Sequence, residues 1–211
     1  KNLPSNYKFS GSAANFTITP KQVTIPTVTG AQEYTGSPVT YVLSDFNGGA
    51  DIRVDSVTGA NGNTATGANG AAITDTTDTF EATKVDTYTV TLGLRDTVNY
   101  AWSDGTNSDK QITFEVTQKE LLSSAPVSSK VNGIGGAEWS YAESGVTVTI
   151  TDDRISGENI NLLFYYDNKS NTLTGVTTGN VTVITMPANI AVGTHTLTVE
   201  LNGTTGDNAN Y

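Results

Sequence analysis

The sequence of 211 residues contains no cysteine, a single histidine, a single methionine and only two tryptophans. The absence of cysteine excludes disulfide bonds, thiolate catalysis and cysteine-ligated zinc. It does not by itself place the protein in the cytosol. Since His195 is the one imidazole, any Ser-His-Asp relay would have to use it. Because disulfide bonds are excluded, packing alone must hold the fold together.

Positive charge is also scarce: 11 Lys and Arg stand against 21 Asp and Glu, which gives a net charge of −10. An acidic chain lacks the positive field that attracts phosphate groups, and no local cluster of Lys or Arg supplies one. No apolar run approaches the roughly 20 residues that a membrane-spanning helix needs. We therefore expect neither nucleic acid nor a membrane among the partners.

Threonine and glycine are abundant, with 36 and 21 residues, while hydrophobic residues make up 36% of the chain. Threonine is β-branched and favours extended backbone, whereas strong helix formers are few. The composition predicts short strands with polar outer faces and excludes an all-α fold.

An internal repeat divides the sequence. Phe16 to Lys21 aligns with Phe114 to Lys119 at a spacing of 98 residues, and Thr87 to Leu94 matches Thr194 to Leu201. An Asn-Tyr pair recurs at Asn6-Tyr7, Asn99-Tyr100 and Asn210-Tyr211. Gly30 to Tyr34 likewise matches Gly136 to Trp139, so that Tyr34 meets Trp139. A repeat of this length predicts tandem structural units.

The register predicts three segments: residues 1–20 as the terminal strand of a preceding repeat, 21–118 as a complete unit, and 119–211 as a second unit that lacks its last strand. A unit without that strand exposes an unpaired sheet edge, which proteins usually cover. We therefore expect residues 1–19 to pair with an open edge, either in their own chain or in a neighbouring molecule by strand exchange.

Several runs alternate between apolar and polar residues with a period of two, the pattern of a half-buried strand. They are Val39 to Leu43, Thr87 to Leu94, Gln111 to Thr117, Val146 to Thr151, Val181 to Thr185 and Thr194 to Leu201. The apolar run Asn159 to Tyr166 predicts a central strand, and Gly59 to Thr79 predicts a long loop or loose hairpin. About seven short strands per unit predict an all-β fold of two tandem immunoglobulin-like β-sandwiches, preceded by an N-terminal strand segment.

One stretch carries a family resemblance. It begins with Asp86 to Asp96, continues through Asn-Tyr-Ala-Trp-Ser-Asp-Gly-Thr at 99–106, and closes with Asp109 to Phe114. Together with Pro26 to Val28 and Tyr34 to Gly36, this stretch resembles the bacterial immunoglobulin-like repeats of secreted or surface-anchored proteins. The second unit departs from the pattern by placing Trp139-Ser140-Tyr141 where Tyr-Thr-Gly is expected.

The resemblance implies a structural, non-enzymatic role in a stalk or adhesin, at the bacterial cell wall or outside the cell. Its partners would be neighbouring repeats of the same protein, with a glycan or a host protein as a further possibility. The family supplies no catalytic residues to transfer, and the repeat register places His195 at the position of Tyr88, an ordinary strand position.

The second hypothesis is a carbohydrate-binding module, in which aromatic rings stack on sugar faces. Trp139 and Tyr141 are the best candidates for such stacking, followed by Trp102. For Trp102 the competing interpretation is a place in the core. An internal bond between Lys21 or Lys119 and an asparagine is a further alternative for stiffening a chain without cysteine.

No cofactor is predicted, and calcium is the alternative left open because it takes six to eight oxygen ligands. Oxygen donors occur in three loosely spaced sets: Asp45, Asn47 and Asp51; Asp75 and Asp78; Asp152, Asp153 and Glu158. None follows the EF-hand pattern with its distal glutamate. Solvated turn acids are the competing interpretation of all three sets.

Overall fold

The computed structural model describes residues 11, 15–28, 30–48, 51–121, 127–128, 138 and 141–211. Within these residues the chain is all-β, with seventeen strands and two short 3-10 helices at Ala68–Gly70 and Gly206–Asn210. The strands from 21 to 118 are called the first strand group, and those from 119 to 211 the second strand group.

The first strand group contains β1 (Lys21–Val23), β2 (Thr27–Val28), β3 (Ala31–Glu33), β4 (Val39–Ser44), β5 (Ile52–Gly59), β6 (Thr66–Gly67), β7 (Thr79–Ala82), β8 (Asp86–Leu94), β9 (Tyr100–Trp102) and β10 (Lys110–Thr117). The second strand group contains β11 (Val127–Ser128), β12 (Thr147–Thr151), β13 (Leu162–Tyr166), β14 (Thr172–Leu173), β15 (Gly175–Thr178), β16 (Val181–Thr185) and β17 (Leu197–Leu201). Each of the six alternating runs of the sequence contains a strand, so the period-two pattern is confirmed as the signal for these elements. The last run is only partly a strand, because β17 begins at Leu197 and not at Thr194.

The first strand group is a sandwich of two four-stranded sheets, in the orders β3-β10-β8-β5 and β2-β4-β7-β6, with β1 and β9 forming a parallel pair. The core between the sheets is aromatic. Phe114 is stacked with Tyr41, Tyr88 and Phe80, at ring-centroid distances of 4.2, 5.0 and 6.0 Å. Rings from both sheets thus fill the space between them.

The predicted loop from Gly59 is shorter than the sequence indicates, because β5 runs through Gly59 and β6 adds a short strand at Thr66–Gly67. The buried carboxylate of Asp86 holds the turn that follows β5. It accepts hydrogen bonds from the Asn61 backbone N–H at 3.0 Å, the Asn63 side-chain amide at 3.1 Å and the Thr87 backbone N–H at 2.8 Å. These donors satisfy a charge that burial would otherwise make unfavourable.

The second strand group has sheets in the orders β11-β12-β16-β15 and β14-β13-β17. Its apolar cluster consists of Val146, Val148, Ile150, Phe164, Ile184, Met186 and Ile190. The predicted central strand is confirmed as β13, which lies between two neighbours and buries Phe164 and Tyr165 on its opposite faces. In the described part of the chain, β17 pairs with β13 alone.

Every strand pair among the described residues lies within one group or the other. The assignment of 21–118 and 119–211 as two tandem units stays a prediction. Residues 15–20 form no strand and are exposed. Among the described residues no strand lies beside this segment, so the expected pairing within its own chain is not observed there. Residues 1–10 and 12–14 lie outside the described residues.

A matched pair of valines tests the position of the core. Val90 is fully buried in β8, whereas Val98 is 79% exposed in the following turn. We expect Val90→Ala to lower the free energy of unfolding by about 2 kcal/mol, because two buried methyl groups are lost and a cavity remains. Val98→Ala is the control and should change it by less than about 0.5 kcal/mol. Urea denaturation followed by circular dichroism measures both, and equal effects would contradict this core.

Candidate functional site at the junction of the strand groups

The junction brings Tyr34 of the first strand group against residues of the second. Tyr34 follows β3, and its backbone N–H donates to the Thr117 carbonyl at 2.9 Å, which ties it to the end of β10. Its side chain is only 4% exposed. Its hydroxyl donates to Glu158 Oε1 at 2.5 Å. A phenol from one group is thus hydrogen-bonded to a carboxylate from the other.

Glu158 lies in the connection between β12 and β13 and collects several donors. Besides Tyr34, the Tyr211 hydroxyl donates to Oε2, and the Asn210 side-chain amide donates to Oε1 at 3.3 Å. The Tyr211 hydroxyl in turn accepts the Ile155 backbone N–H at 2.8 Å. The rings of Tyr34 and Tyr211 pack edge to face, with centroids 6.1 Å apart. Hydrogen bonds and ring contact therefore fix the same three side chains.

A buried ion pair supports the loop that carries Glu158. Arg154 Nε donates to Asp152 Oδ1 at 2.7 Å, and Arg154 Nη2 donates to Asp152 Oδ2 at 2.5 Å, with the two side chains 4% and 2% exposed. Hydrogen bonding to Asp152 raises the pKa of the Arg154 guanidinium. A bidentate pair of this kind sets geometry, and breaking it would leave an uncompensated buried charge.

Apolar contact continues across the junction. The larger hydrophobic cluster, which contains the core of the first strand group, also includes Ile160 and Tyr211 of the second. Gly36 has a φ of +78°, and a Cβ at this position would lie 2.7 Å from Ile155 Cγ2. Glycine is therefore required at this point both by the backbone conformation and by the close approach.

Burial and the charge of Glu158 both raise the pKa of the Tyr34 and Tyr211 hydroxyls. Burial is the largest cause that raises the pKa of Tyr34 above its ordinary value, followed by its hydrogen bond to Glu158. The pKa of Tyr211 is raised for the same two reasons in the same order. Both hydroxyls therefore stay protonated and continue to donate well into alkaline conditions.

A clasp of lysine, asparagine, tyrosine and aspartate occurs twice. The backbone N–H of Lys21 donates to the Asn99 carbonyl at 2.9 Å, and that of Lys119 donates to the Asn210 carbonyl at 2.9 Å. The two ammonium groups lie 5.5 Å from the ring of Tyr100 and 5.7 Å from the ring of Tyr211. They contact Asp51 at 3.3 Å and Asp153 at 2.5 Å. The repeat seen in the sequence is therefore also a repeat of contacts.

The structure describes two of the three aromatic candidates for sugar stacking. Trp102 is fully buried and its indole N–H donates to the Ser108 carbonyl at 2.8 Å, so its ring faces cannot bind a ligand. The sequence pattern selected it because large aromatics serve both cores and binding sites. Tyr141 is 63% exposed, and Trp139 lies outside the described residues.

His195 forms a surface pair with Asp167. Its Nδ1 lies 2.7 Å from Asp167 Oδ2, and its Nε2 lies 2.7 Å from the Ala191 carbonyl. The hydrogen bond to Asp167 is the largest cause that raises the pKa of His195. Both ring nitrogens are thus engaged in holding neighbouring loops.

The acids considered for calcium mostly have protein partners. Asp51, Asp75, Asp152 and Asp153 pair with Lys21, Arg95, Arg154 and Lys119, while Glu158 accepts from the phenols at the junction. Within the described ranges, no three acidic or histidine side chains come together as metal ligands. Lys21 and Lys119, considered for an internal bond to asparagine, direct their ammonium groups to aspartates instead.

Neither the family models nor the curated proteins contain a match to this sequence. Nothing helical in the described part of the chain has the length and apolar character that crossing a bilayer requires. The junction is therefore the best candidate site, and its central residue, Glu158, stands out in the sequence only as an oxygen donor for calcium. The recurring Asn-Tyr pair was the signal that could have located it.

The raised pKa values predict a specific alkaline behaviour. A phenol whose folded pKa lies above the ordinary value of about 10 contributes stability that is fully present below that pH and is lost as the pH rises through the folded pKa. We expect Tyr34→Phe to lower the free energy of unfolding at neutral pH by about 1–2 kcal/mol, because a hydrogen bond to a charged group is lost.

Above about pH 10, the stability of Tyr34→Phe should fall less steeply than that of the parent chain, because the variant lacks one tyrosine whose pKa is raised. Urea denaturation at a series of pH values measures both effects. Tyr141→Phe, which removes an exposed hydroxyl, is the matched control and should follow the parent curve. If the free energy of unfolding of Tyr34→Phe fell as steeply with pH as that of the parent chain, the raised pKa of Tyr34 would be contradicted.

Proposed function

We propose that this chain is a structural spacer from a bacterial secreted or surface-anchored protein, and that its two strand groups are β-modules held at a fixed relative orientation. Such a spacer presents an adhesive or catalytic domain at a distance from its anchor. The observation that carries the proposal is the hydrogen-bonded contact of Tyr34 and Tyr211 on Glu158. The resemblance to bacterial immunoglobulin-like repeats supports the same role and location, with neighbouring repeats as the natural partners.

Two modules normally move relative to each other unless the interface between them is large or is held by specific hydrogen bonds. Here the short hydrogen bond from Tyr34 spans the junction, and Asp207 of the second strand group lies 3.7 Å from Lys84 of the first. The exposed Lys84 pair contributes little by itself. The buried contacts on Glu158 supply the directional restraint that a rigid spacer needs.

The strand order also suits a chain under tension. The chain enters the first strand group through β1 and β2 before it reaches β3, and it leaves the group from β10. The strands β3 and β10 pair in parallel, with Ala31 opposite Glu115 and Glu33 opposite Thr117. A pull on the two ends reaches this pair once β1 and β2 have detached from β9 and β4. Pulling on the two ends moves parallel strands in opposite directions along their length. All hydrogen bonds of the pair then bear load together, instead of opening one after another.

The surface composition agrees with a spacer. A net charge of −10 and many threonines on strand faces keep an elongated protein soluble and discourage edge-to-edge aggregation. Glycan binding is the second hypothesis, and the exposed ring of Tyr141 is its best support among the described residues. A single exposed ring makes a weak stacking platform, so we favour the spacer.

Spin labelling tests the fixed orientation directly, because a chain without cysteine can be labelled at chosen positions only. Cysteines in place of Val98, which is 79% exposed, and Val176, which is 70% exposed, place one label on each strand group. We expect a single narrow distance distribution between the labels by double electron–electron resonance. Tyr34→Ala should broaden it, because the restraint on Glu158 is lost.

Tyr141→Ala is the matched control, since it removes an exposed tyrosine and should leave the distribution narrow. A broad distribution in the parent labelled chain would overturn the spacer with a fixed joint. Binding on a glycan array that is lost in both Trp139→Ala and Tyr141→Ala would favour the carbohydrate-binding hypothesis.

A further inference from the structure

Residues 186–196 connect β16 to β17 and form no strand of their own. Two buried side chains anchor the first half of this loop: Met186 and Ile190 are 7% and 8% exposed and belong to the apolar cluster of the second strand group. After Ile190 the loop is exposed until β17 begins, and Val192 is 89% exposed. An exposed segment with few apolar contacts opens easily unless specific bonds hold it.

Two contacts of His195 hold the exposed half of the loop. Its Nε2 lies 2.7 Å from the carbonyl oxygen of Ala191, four residues earlier, and so closes the segment on itself. Its Nδ1 lies 2.7 Å from Asp167 Oδ2, in the turn between β13 and β14. The imidazole ring is thus a bridge between the loop and the neighbouring turn.

Both partners of the ring can only accept hydrogen bonds. A carboxylate oxygen and a backbone carbonyl oxygen have no proton to donate, and a neutral imidazole carries a single N–H. The neutral ring can therefore donate to one partner only, and its other nitrogen then faces an oxygen atom at 2.7 Å with no proton between them. Both contacts are favourable together only when both ring nitrogens are protonated.

Asp167 keeps its place independently of the ring. Its backbone N–H donates to the Thr196 carbonyl at 2.9 Å, and its Oδ1 accepts the Thr196 backbone N–H at 3.0 Å. Its second carboxylate oxygen remains for His195. A change in the charge of the ring therefore leaves the turn fixed, and the exposed half of the loop is the part that can move.

The surroundings of the ring favour its charged form. Tyr166, at the end of β13, packs edge to face against it with ring centroids 6.0 Å apart, and the loop carries no other ionisable side chain. The next charged side chains along the two facing elements, Lys169 and Glu200, pair with each other at 2.6 Å. The bond to Asp167 is the largest cause that raises the pKa of His195, and the same bond lowers the pKa of Asp167.

We propose that the loop of residues 186–196 is a pH-sensitive latch, closed while the doubly protonated ring of His195 bridges Ala191 and Asp167, and loosened when the ring becomes neutral. Ala191 directly follows Ile190, so loosening removes the restraint next to a side chain that packs in the core. The order of this loop would then follow the pH of the surroundings over the range of about pH 5 to 8 in which imidazole titrates. The inference goes beyond the spacer role and does not depend on it.

The direction of the effect follows from the linkage between protonation and closure. A histidine whose pKa is higher in the closed loop than in the open loop stabilises closure fully below the ordinary value of about 6.5. This stabilisation is lost as the pH rises through the higher pKa. Each unit of difference between the two pKa values makes opening about tenfold more favourable at a pH above both.

The single histidine makes the ring directly observable by proton NMR. We expect the pKa of His195 to lie above about 6.5 in the parent chain and to fall toward that value in Asp167→Asn, which removes the facing charge. Asp45→Asn is the matched control, because Asp45 and Asp167 are both exposed and have φ of +60° and +57°, a conformation that asparagine also adopts. The control should leave the pKa of His195 unchanged.

A spin label introduced through Val192→Cys reports the motion of the loop, since the chain has no other cysteine. Between about pH 5 and pH 8.5 we expect the mobile fraction of its spectrum to rise, with a midpoint at the pKa that NMR gives. In His195→Gln the mobile fraction should be the same at every pH, because an amide does not titrate. A label introduced through Val98→Cys, on the first strand group, should show no pH dependence.

Three results would refute the latch. They are a pKa of His195 at or below about 6.5 in the parent chain, a pKa that is the same in Asp167→Asn as in the parent chain, and a label at position 192 whose mobility does not change with pH or changes equally in His195→Gln. The two measurements also check each other, because the ratio of mobile to immobile label must rise about tenfold for each unit by which the pKa is raised.

Discussion

The arrangement of the molecule depends on one carboxylate that accepts hydrogen bonds from both strand groups. Glu158 receives the Tyr34 hydroxyl from the first strand group and the Tyr211 hydroxyl from the second. A half-buried charged acceptor interacts strongly with its donors, and its cost of desolvation is offset only while those donors stay in place. The buried pair of Asp152 and Arg154 positions the loop, and the glycine at position 36 lets the two backbones approach. The relative position of the two strand groups is thus set mainly by a few hydrogen-bonded side chains, and apolar contact adds to their effect.

The sequence predicts the strands well because each depends on local alternation. Runs such as Thr87 to Leu94 and Gln111 to Thr117 place an apolar residue at every second position, and they became β8 and β10. The central strand β13 was predictable from its nearly unbroken apolar run. The repeat register added long-range information, since it equated Lys21 with Lys119, and the structure shows that each of these lysines forms a clasp of the same geometry. Local pattern and self-similarity together give the fold class of this chain.

The candidate site was much less predictable, because it depends on residues that are distant in sequence. Tyr34 and Glu158 are 124 positions apart, and neither belongs to a motif that states its partner. Glu158, Asp152 and Asp153 form an acidic set in the sequence, where calcium ligands and solvated turns have the same appearance. Only the fold reveals that arginine, lysine and phenol groups take up these oxygens. Trp102 was ambiguous for another reason, because an aromatic residue near a turn can either stack on a sugar or pack in the core. In the structure Trp102 packs in the core.

The recurrence of the Lys-Asn-Tyr clasp has a geometric consequence for any array of such modules. If every joint is made by the same contacts, each module is rotated and shifted relative to its predecessor by the same amount. Equal steps of this kind generate a regular helix, whose pitch and handedness are fixed by a single joint and whose length grows with the number of modules. One substitution at that joint, present in every copy, would then change the pitch of the whole array while leaving each module intact.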